Sequence, residues 1–136
     1  MILNNISEII NGDNGSISIL IDDNEISYSV VDDFIVKSIG FKSRSVHLIC
    51  ESGLSPTGVV NFVFEGTSRV EFSPMDTYEA YNTHQEEPDL TVIDTIVYDP
   101  NRQEENTEIV VVGFGWVLKI DAESLTADYK LTAKGN

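Results

Sequence analysis

Hydrophobic and polar positions alternate with a period of two over most of this chain, and that alternation predicts β-strands. Residues 16–21 alternate isoleucine with serine or leucine, and residues 26–30 alternate large apolar side chains with serine. The polar segment 22–25 between them has the length of a hairpin loop. The first two strands are therefore predicted to form a hairpin.

Turn signals built on glycine and proline recur about every ten residues, which favours a meander or a sandwich. The segment 108–120 is apolar at nearly every position and predicts one central strand covered on both faces, with Gly113 and Gly115 at bulges or bends. The other predicted strands are 34–41, 44–50, 59–64, 68–72, 92–98 and 125–131.

Two short helices are also predicted. Residues 3–10 place four apolar side chains at helical spacing. Ser73 and Pro74 are typical of an N-cap and a first helical position, so a second helix is predicted over 74–81. Residues 83–90 are polar, acidic and interrupted by proline, which predicts an exposed loop. The expected fold class is mainly β, an antiparallel sheet or sandwich with one or two short helices, in a single domain over residues 1–136.

The bulk composition predicts a soluble cytoplasmic protein. A 41% hydrophobic fraction is sufficient for one core. The N-terminus lacks the features of a signal peptide, and no segment approaches the roughly 20 apolar residues of a membrane helix. Cys50 is the single cysteine, which excludes an internal disulfide. Strand alternation places Cys50 on the face opposite His47, so we expect a buried thiol rather than a reactive cysteine–histidine pair.

Charge is concentrated in one part of the chain. Residues 71–108 carry eleven carboxylates against one basic residue, Arg102, in a protein of net charge −15. Such a field repels phosphates and anionic lipid headgroups, so the sequence disfavours nucleic-acid and membrane partners. It favours a basic protein partner.

No motif for catalysis or metal binding is present. His84 begins a His-Gln-Glu-Glu-Pro run that lacks the second histidine of a zinc-protease helix, and Pro88 would break such a helix. The acidic turns 13–15 and 22–25 lack the spacing of a calcium loop. Glycines 113 and 115 lack the later glycine of a dinucleotide site. We therefore expect a protein that is not an enzyme and has no cofactor; a loosely held divalent ion is left open.

Tyrosines lie among the carboxylates of the acidic segment, and aromatic area beside like charges is typical of a recognition surface. The alternative is a highly charged surface with ordinary half-buried tyrosines and no role in recognition. The candidate partner-binding residues are Asp76, Tyr78, Glu79, Tyr81, Glu86, Glu87 and Asp89.

Residues 59–72 consist of one strand ending in Phe64, a Glu65-Gly66 turn and a second short strand at 70–72. This run resembles the strand–glycine–strand core of small β-rich immunity proteins of bacterial polymorphic-toxin systems. The resemblance implies a bacterial protein that binds and blocks a cognate toxin domain, often a basic nuclease. It carries over no functional residue, because the partner surface varies among such proteins.

Two alternatives belong to other classes. One is a carbohydrate- or small-ligand-binding β-domain, which would need Trp116 and tyrosines to line a concave site. The other is a hydrolase that uses paired carboxylates, which would need such a pair in a closed pocket.

Overall fold

The computed structural model describes residues 1–12, 14–53, 58–74, 89–98 and 107–131, and this part of the chain contains strands and no helix. The mainly β fold class is confirmed. The strands are β1 (Ile2–Asn4), β2 (Ile6–Ile10), β3 (Ser16–Ile21), β4 (Asn24–Ser29), β5 (Phe34–Lys42), β6 (Ser45–Ser52), β7 (Gly58–Glu65), β8 (Arg69–Pro74), β9 (Asp89–Tyr98), β10 (Thr107–Phe114), β11 (Trp116–Ala122) and β12 (Ser124–Leu131).

The strands form three sheets. A five-stranded sheet has the order β1-β12-β7-β6-β5, a four-stranded sheet has the order β8-β11-β10-β9, and a three-stranded sheet has the order β2-β3-β4. All neighbours are antiparallel except β1, which runs parallel to β12. Buried side chains from all three sheets form one apolar core. Phe34 joins two of the sheets within it, because its ring stacks on Tyr28 at 5.0 Å and meets Phe62 edge-on at 5.5 Å.

The five-stranded and four-stranded sheets share a bent corner. Strand β7 pairs with β12, and their continuations β8 and β11 pair in the other sheet, so two chain segments cross the corner together. Gly66 has a left-handed φ of 67° there, and a Cβ on it would collide with the Glu123 side chain. The Glu123 N–H donates to the Glu65 carbonyl at 3.0 Å, and the Ser68 N–H donates to the Asp121 carbonyl at 2.9 Å. These bonds hold the two sheets at a fixed angle to each other.

The predicted helix at 3–10 is wrong. Strand β1 pairs with β12 and β2 pairs with β3, and Asn5 between them has a left-handed φ of 62°. The apolar spacing that fits a helix face also fits two short strands, one on each side of Asn5. Isoleucine-rich segments favour strands, and here the edges of two sheets provide hydrogen-bonding partners.

The single strand predicted at 108–120 is also wrong. The segment is a hairpin of β10 and β11, which turns at Gly115 with a φ of 85°. Gly113 and Gly115 are confirmed as irregular positions, because the pairing of β10 with β9 shifts register at Gly113. Both strands lie inside the four-stranded sheet, which explains why the run is apolar at nearly every position.

The remaining strand predictions are confirmed with small changes in their ends. The hairpin of β3 and β4 is confirmed, with a two-residue turn at Asp22 and Asp23 in which both residues have a positive φ, as a type I′ turn requires. Ser73 and Pro74 end strand β8 instead of beginning a helix, and the rest of 74–81 lies outside the described residues. Of the predicted loop 83–90, only residues 89 and 90 are described, and they begin β9.

Candidate functional site

A groove of about 280 Å³ opens at the seam between the five-stranded and four-stranded sheets. It lies where the edge strand β5 approaches the edge strand β9, and no hydrogen-bonded ladder joins these two strands. Its lining residues are Val36, Lys37, Ser38, Ile39, Phe41, Phe72, Leu90 and Thr91.

The apolar walls of the groove are core-facing positions that the core does not cover. Phe41 pairs with the buried Val46, and Phe72 pairs with the buried Leu118, so both rings lie on the core side of their sheets. Even so, Phe41 is 56% exposed, Phe72 is 43% exposed and Leu90 is 51% exposed. A concave cluster of half-exposed large apolar side chains is the usual sign of a binding site.

One wall of the groove has a rigid support. The Phe72 ring lies 5.8 Å from the Trp116 ring, and Trp116 is only 1% exposed. The Trp116 indole lies over Gly113, where a Cβ would be 1.8 Å from its nearest ring atom. Glycine is therefore required at position 113 so that the indole can lie against the strand.

The buried Trp116 contradicts the premise of the carbohydrate-binding alternative, because a ring that is 1% exposed cannot stack on a sugar. Tyr28 and Tyr98 are also buried, and neither lines the groove.

The groove walls are the two ends of the most acidic connection in the chain. Phe72 and Leu90 are joined by 17 residues that contain five carboxylates and neither lysine nor arginine. Of the predicted partner-binding residues, Asp89 is the first residue of β9 and pairs with Phe114. The other predicted residues lie outside the described part of the chain; these are Asp76, Tyr78, Glu79, Tyr81, Glu86 and Glu87.

Among the described lining residues of the groove, only Lys37 is charged. Its Nζ lies 4.0 Å from a carboxylate oxygen of Glu51, and both side chains are about half exposed. An exposed pair of this kind contributes at most about 1 kcal/mol, so Lys37 can be displaced at little cost.

Sequence reasoning missed the groove. The sequence predicts only a strand for Phe41 and only a loop for Leu90. The available signal was a large aromatic residue, Phe41, at the end of a predicted strand and next to Lys42. That signal indicates exposure only once the neighbouring sheet is known.

A second concavity, of about 490 Å³, lies at the β5–β6 hairpin and is lined by Lys42, Ser43, Arg44, Ser45, His47, Glu65 and Gly66. No described carboxylate forms an ion pair with Lys42 or Arg44. His47 Nδ1 lies 3.2 Å from Asn61 Nδ2 on the outer face of the sheet. The concavity is wide and open, and its cationic side chains are exposed.

Cys50 is confirmed as a buried thiol with 0% exposure. Burial raises its pKa to about 12, so the nucleophilic thiolate is absent near neutral pH. His47 lies on the other face of strand β6, which confirms that the two groups point apart.

Within the described ranges, no group of three or more histidine, cysteine or acidic side chains could hold a metal ion. The same residues include no helix long and apolar enough to cross a membrane. No protein-family model matches the chain, and no curated protein or solved structure matches it. The resemblance of residues 59–72 to immunity proteins therefore stays a prediction.

Proposed function

We propose that this protein is an acidic inhibitor that binds a basic protein partner. In its most specific form, the proposal is a bacterial immunity protein that acts in the cytoplasm and neutralises a basic toxin domain. The proposal includes Asp76, Tyr78, Glu79, Tyr81, Glu86, Glu87 and Asp89 as partner-binding residues.

One observation supports this proposal most directly: the acidic connection 73–89 leaves and re-enters the sheets at the walls of an apolar groove. Stable protein interfaces combine a desolvated apolar centre with a polar rim. Phe72 and Leu90 supply apolar surface, and the five carboxylates between them in the sequence supply charge of one sign.

The mechanism would be occlusion. Carboxylates would occupy a cationic cleft on the partner that otherwise holds substrate phosphates, so bound inhibitor and substrate would exclude each other. Long-range attraction between the acidic surface and the basic cleft would accelerate their encounter. No chemical step on this chain is required.

A small-ligand-binding β-domain is the second candidate, because the groove is concave and apolar. Its volume of about 280 Å³ lies just below the range of about 300–1,000 Å³ that is usual for small-molecule sites. Mass spectrometry of the purified native protein would test this candidate, since a stoichiometric co-purified ligand would favour it. A hydrolase is third, and the described lining of the groove contains no carboxylate to support it.

The proposal is tested by the dependence of association on charge and salt. After the partner is captured from the native host, association rates are measured for the wild type and for a variant with Glu86→Gln, Glu87→Gln and Asp89→Asn. We expect the variant to associate severalfold more slowly at low salt. The difference should shrink at physiological ionic strength, where exposed charges are screened beyond roughly 8 Å.

The matched control removes three carboxylates elsewhere, with Asp22→Asn, Asp23→Asn and Asp128→Asn, all of which are exposed in the structure. The control has the same net charge as the first variant and should retain a faster association rate. Equal rates for all three proteins, with no response to salt, would contradict the proposed function.

A further inference from the structure

We infer that the groove receives one apolar side chain of the partner, carried on a segment whose flanking residues are basic. This inference rests on the proposed function and adds the chemistry of the contact.

The first argument is the clustering of exposed apolar area. Several large apolar side chains elsewhere are also exposed, including Ile2, Ile10 and Leu131, but isolated exposed side chains are ordinary. Among the described residues, the groove is where three of them, Phe41, Phe72 and Leu90, line one concavity. Removing that area from water requires an apolar occupant.

The second argument is the size and floor of the groove. About 280 Å³ lies just below the usual range of small-molecule sites and is large enough for one apolar side chain. Val36 at the base is 5% exposed, and the Phe72 wall contacts the buried Trp116. A preformed pocket with a rigid wall requires little ordering when it binds an anchor residue.

The third argument is charge complementarity. The 17 residues between Phe72 and Leu90 have a formal charge of −5, since they include five carboxylates and no lysine or arginine. The protein as a whole has a formal net charge of −15, so a partner segment that approaches the groove enters a negative mean field. Lysine or arginine on each side of the anchor would be attracted, whereas acidic flanks would be repelled.

The test uses a set of synthetic heptapeptides with two lysines at each end, one glycine inside each pair, and leucine, phenylalanine, alanine or aspartate in the centre. Each peptide is titrated into isotope-labelled wild-type protein, and binding is followed by NMR. We expect the leucine and phenylalanine peptides to bind about tenfold or more tightly than the alanine peptide. The NMR signals that shift during the titration should belong to residues of β5, residues of β9 and residues around Phe72.

Variants with matched controls locate the contact. Phe41→Ser and Leu90→Ser should abolish the preference for leucine over alanine. Ile35→Ser, on the opposite face of β5, and Val97→Ser, further along β9, should preserve it. The two controls are 49% and 45% exposed, close to the exposure of the groove residues. Because all four side chains are about half exposed, the fold should survive each change, which the fluorescence of the buried Trp116 verifies.

Four results would overturn the inference. The first is equal binding of the leucine and alanine peptides, and the second is no binding of any peptide at millimolar concentration. The third is a dimeric wild type that Phe41→Ser converts to a monomer, which would assign the groove to a second copy of the chain. The fourth is a change in groove signals of the free protein on Tyr78→Ala or Tyr81→Ala, which would assign it to the chain's own segment. The proposed function fails separately, through the charge variants and their salt dependence.

Discussion

Replacing Gly113 by alanine tests the packing that supports the groove. The new Cβ would lie 1.8 Å from Cε2, 2.1 Å from Nε1 and 2.3 Å from Cζ2 of Trp116. These distances are far below van der Waals contact, so either the indole or strand β10 must move. Trp116 is 1% exposed, so a displaced indole must push against the side chains that enclose it.

Two limiting cases give the expected loss of unfolding free energy in Gly113→Ala. If the core adjusts around a displaced but still buried ring, overpacking costs about 1–3 kcal/mol. If the ring is expelled, the cost approaches the roughly 3–5 kcal/mol of removing a buried aromatic side chain. We therefore expect Gly113→Ala to lower the free energy of unfolding by about 2–4 kcal/mol. For a chain of 136 residues this corresponds to a melting temperature lower by about 10 °C.

The assay uses the protein's own fluorophore, since Trp116 is the single tryptophan. Urea unfolding and native emission are measured for Gly113→Ala, Trp116→Leu and the double variant. In the Trp116→Leu background, Gly113→Ala should cost less than about 1 kcal/mol, because the colliding ring is absent. Circular dichroism replaces fluorescence in that background.

The control is Gly40→Ala on strand β5, where a Cβ would have no atom within 4 Å. This change should leave stability unchanged or raise it slightly, because alanine restricts the unfolded chain. An unfolding midpoint and an emission maximum that Gly113→Ala leaves unchanged would refute the described contact between Gly113 and Trp116.

Two further predictions concern the core and the contact between sheets. Burial raises the pKa of Cys50 from 9.0 to about 12, so above pH 9 the unfolded chain loses a proton that the native protein keeps. The free energy of unfolding should then fall by up to about 1.4 kcal/mol per pH unit between pH 9 and 10, and urea titrations should show a shallower fall for Cys50→Ala. The Asn11 side chain donates to the Tyr98 carbonyl at 2.9 Å and accepts from the Tyr98 N–H at 2.8 Å. Asn11→Ala should cost about 2 kcal/mol and accelerate amide exchange at Tyr98, and unchanged exchange there would contradict this role.

Strand identity could be predicted from the sequence because period-two alternation directly reports which face of a strand is buried. Val46, Leu48 and Cys50 are buried as the pattern indicates. The prediction failed where the same apolar positions fit both the helical period and the strand period. Residues 3–10 fit a helix, and only pairing with the next strand, β3, and with β12, which is distant in sequence, selects strands. Segment 108–120 failed differently, because the two interior strands and their turn at Gly115 are apolar or glycine at all positions but Glu108 and Lys119.

The candidate site was less predictable. Phe41, Phe72 and Leu90 lie in separate strands, and their proximity depends on how two sheets meet. Strict alternation from the buried Phe34 and Val36 would place Phe41 on the outer face of β5, and only the register shift between Val36 and Ser38 brings it to the core side. The sequence pattern also contains no information about where the opposite sheet ends. The acidic connection, which the charge pattern singles out, joins two of the groove walls in the sequence.

The absence of a hydrogen-bonded ladder between β5 and β9 has an evolutionary consequence. Side chains at this seam do not have to set a register between β5 and β9, and Phe41 and Leu90 each keep about half of their area in solvent. Substitutions there should therefore alter partner preference while leaving the ladders intact. A combinatorial library randomised at Phe41 and Leu90 would contain many folded members with different selectivities. The seam is thus a position where related proteins could diverge quickly on a constant scaffold.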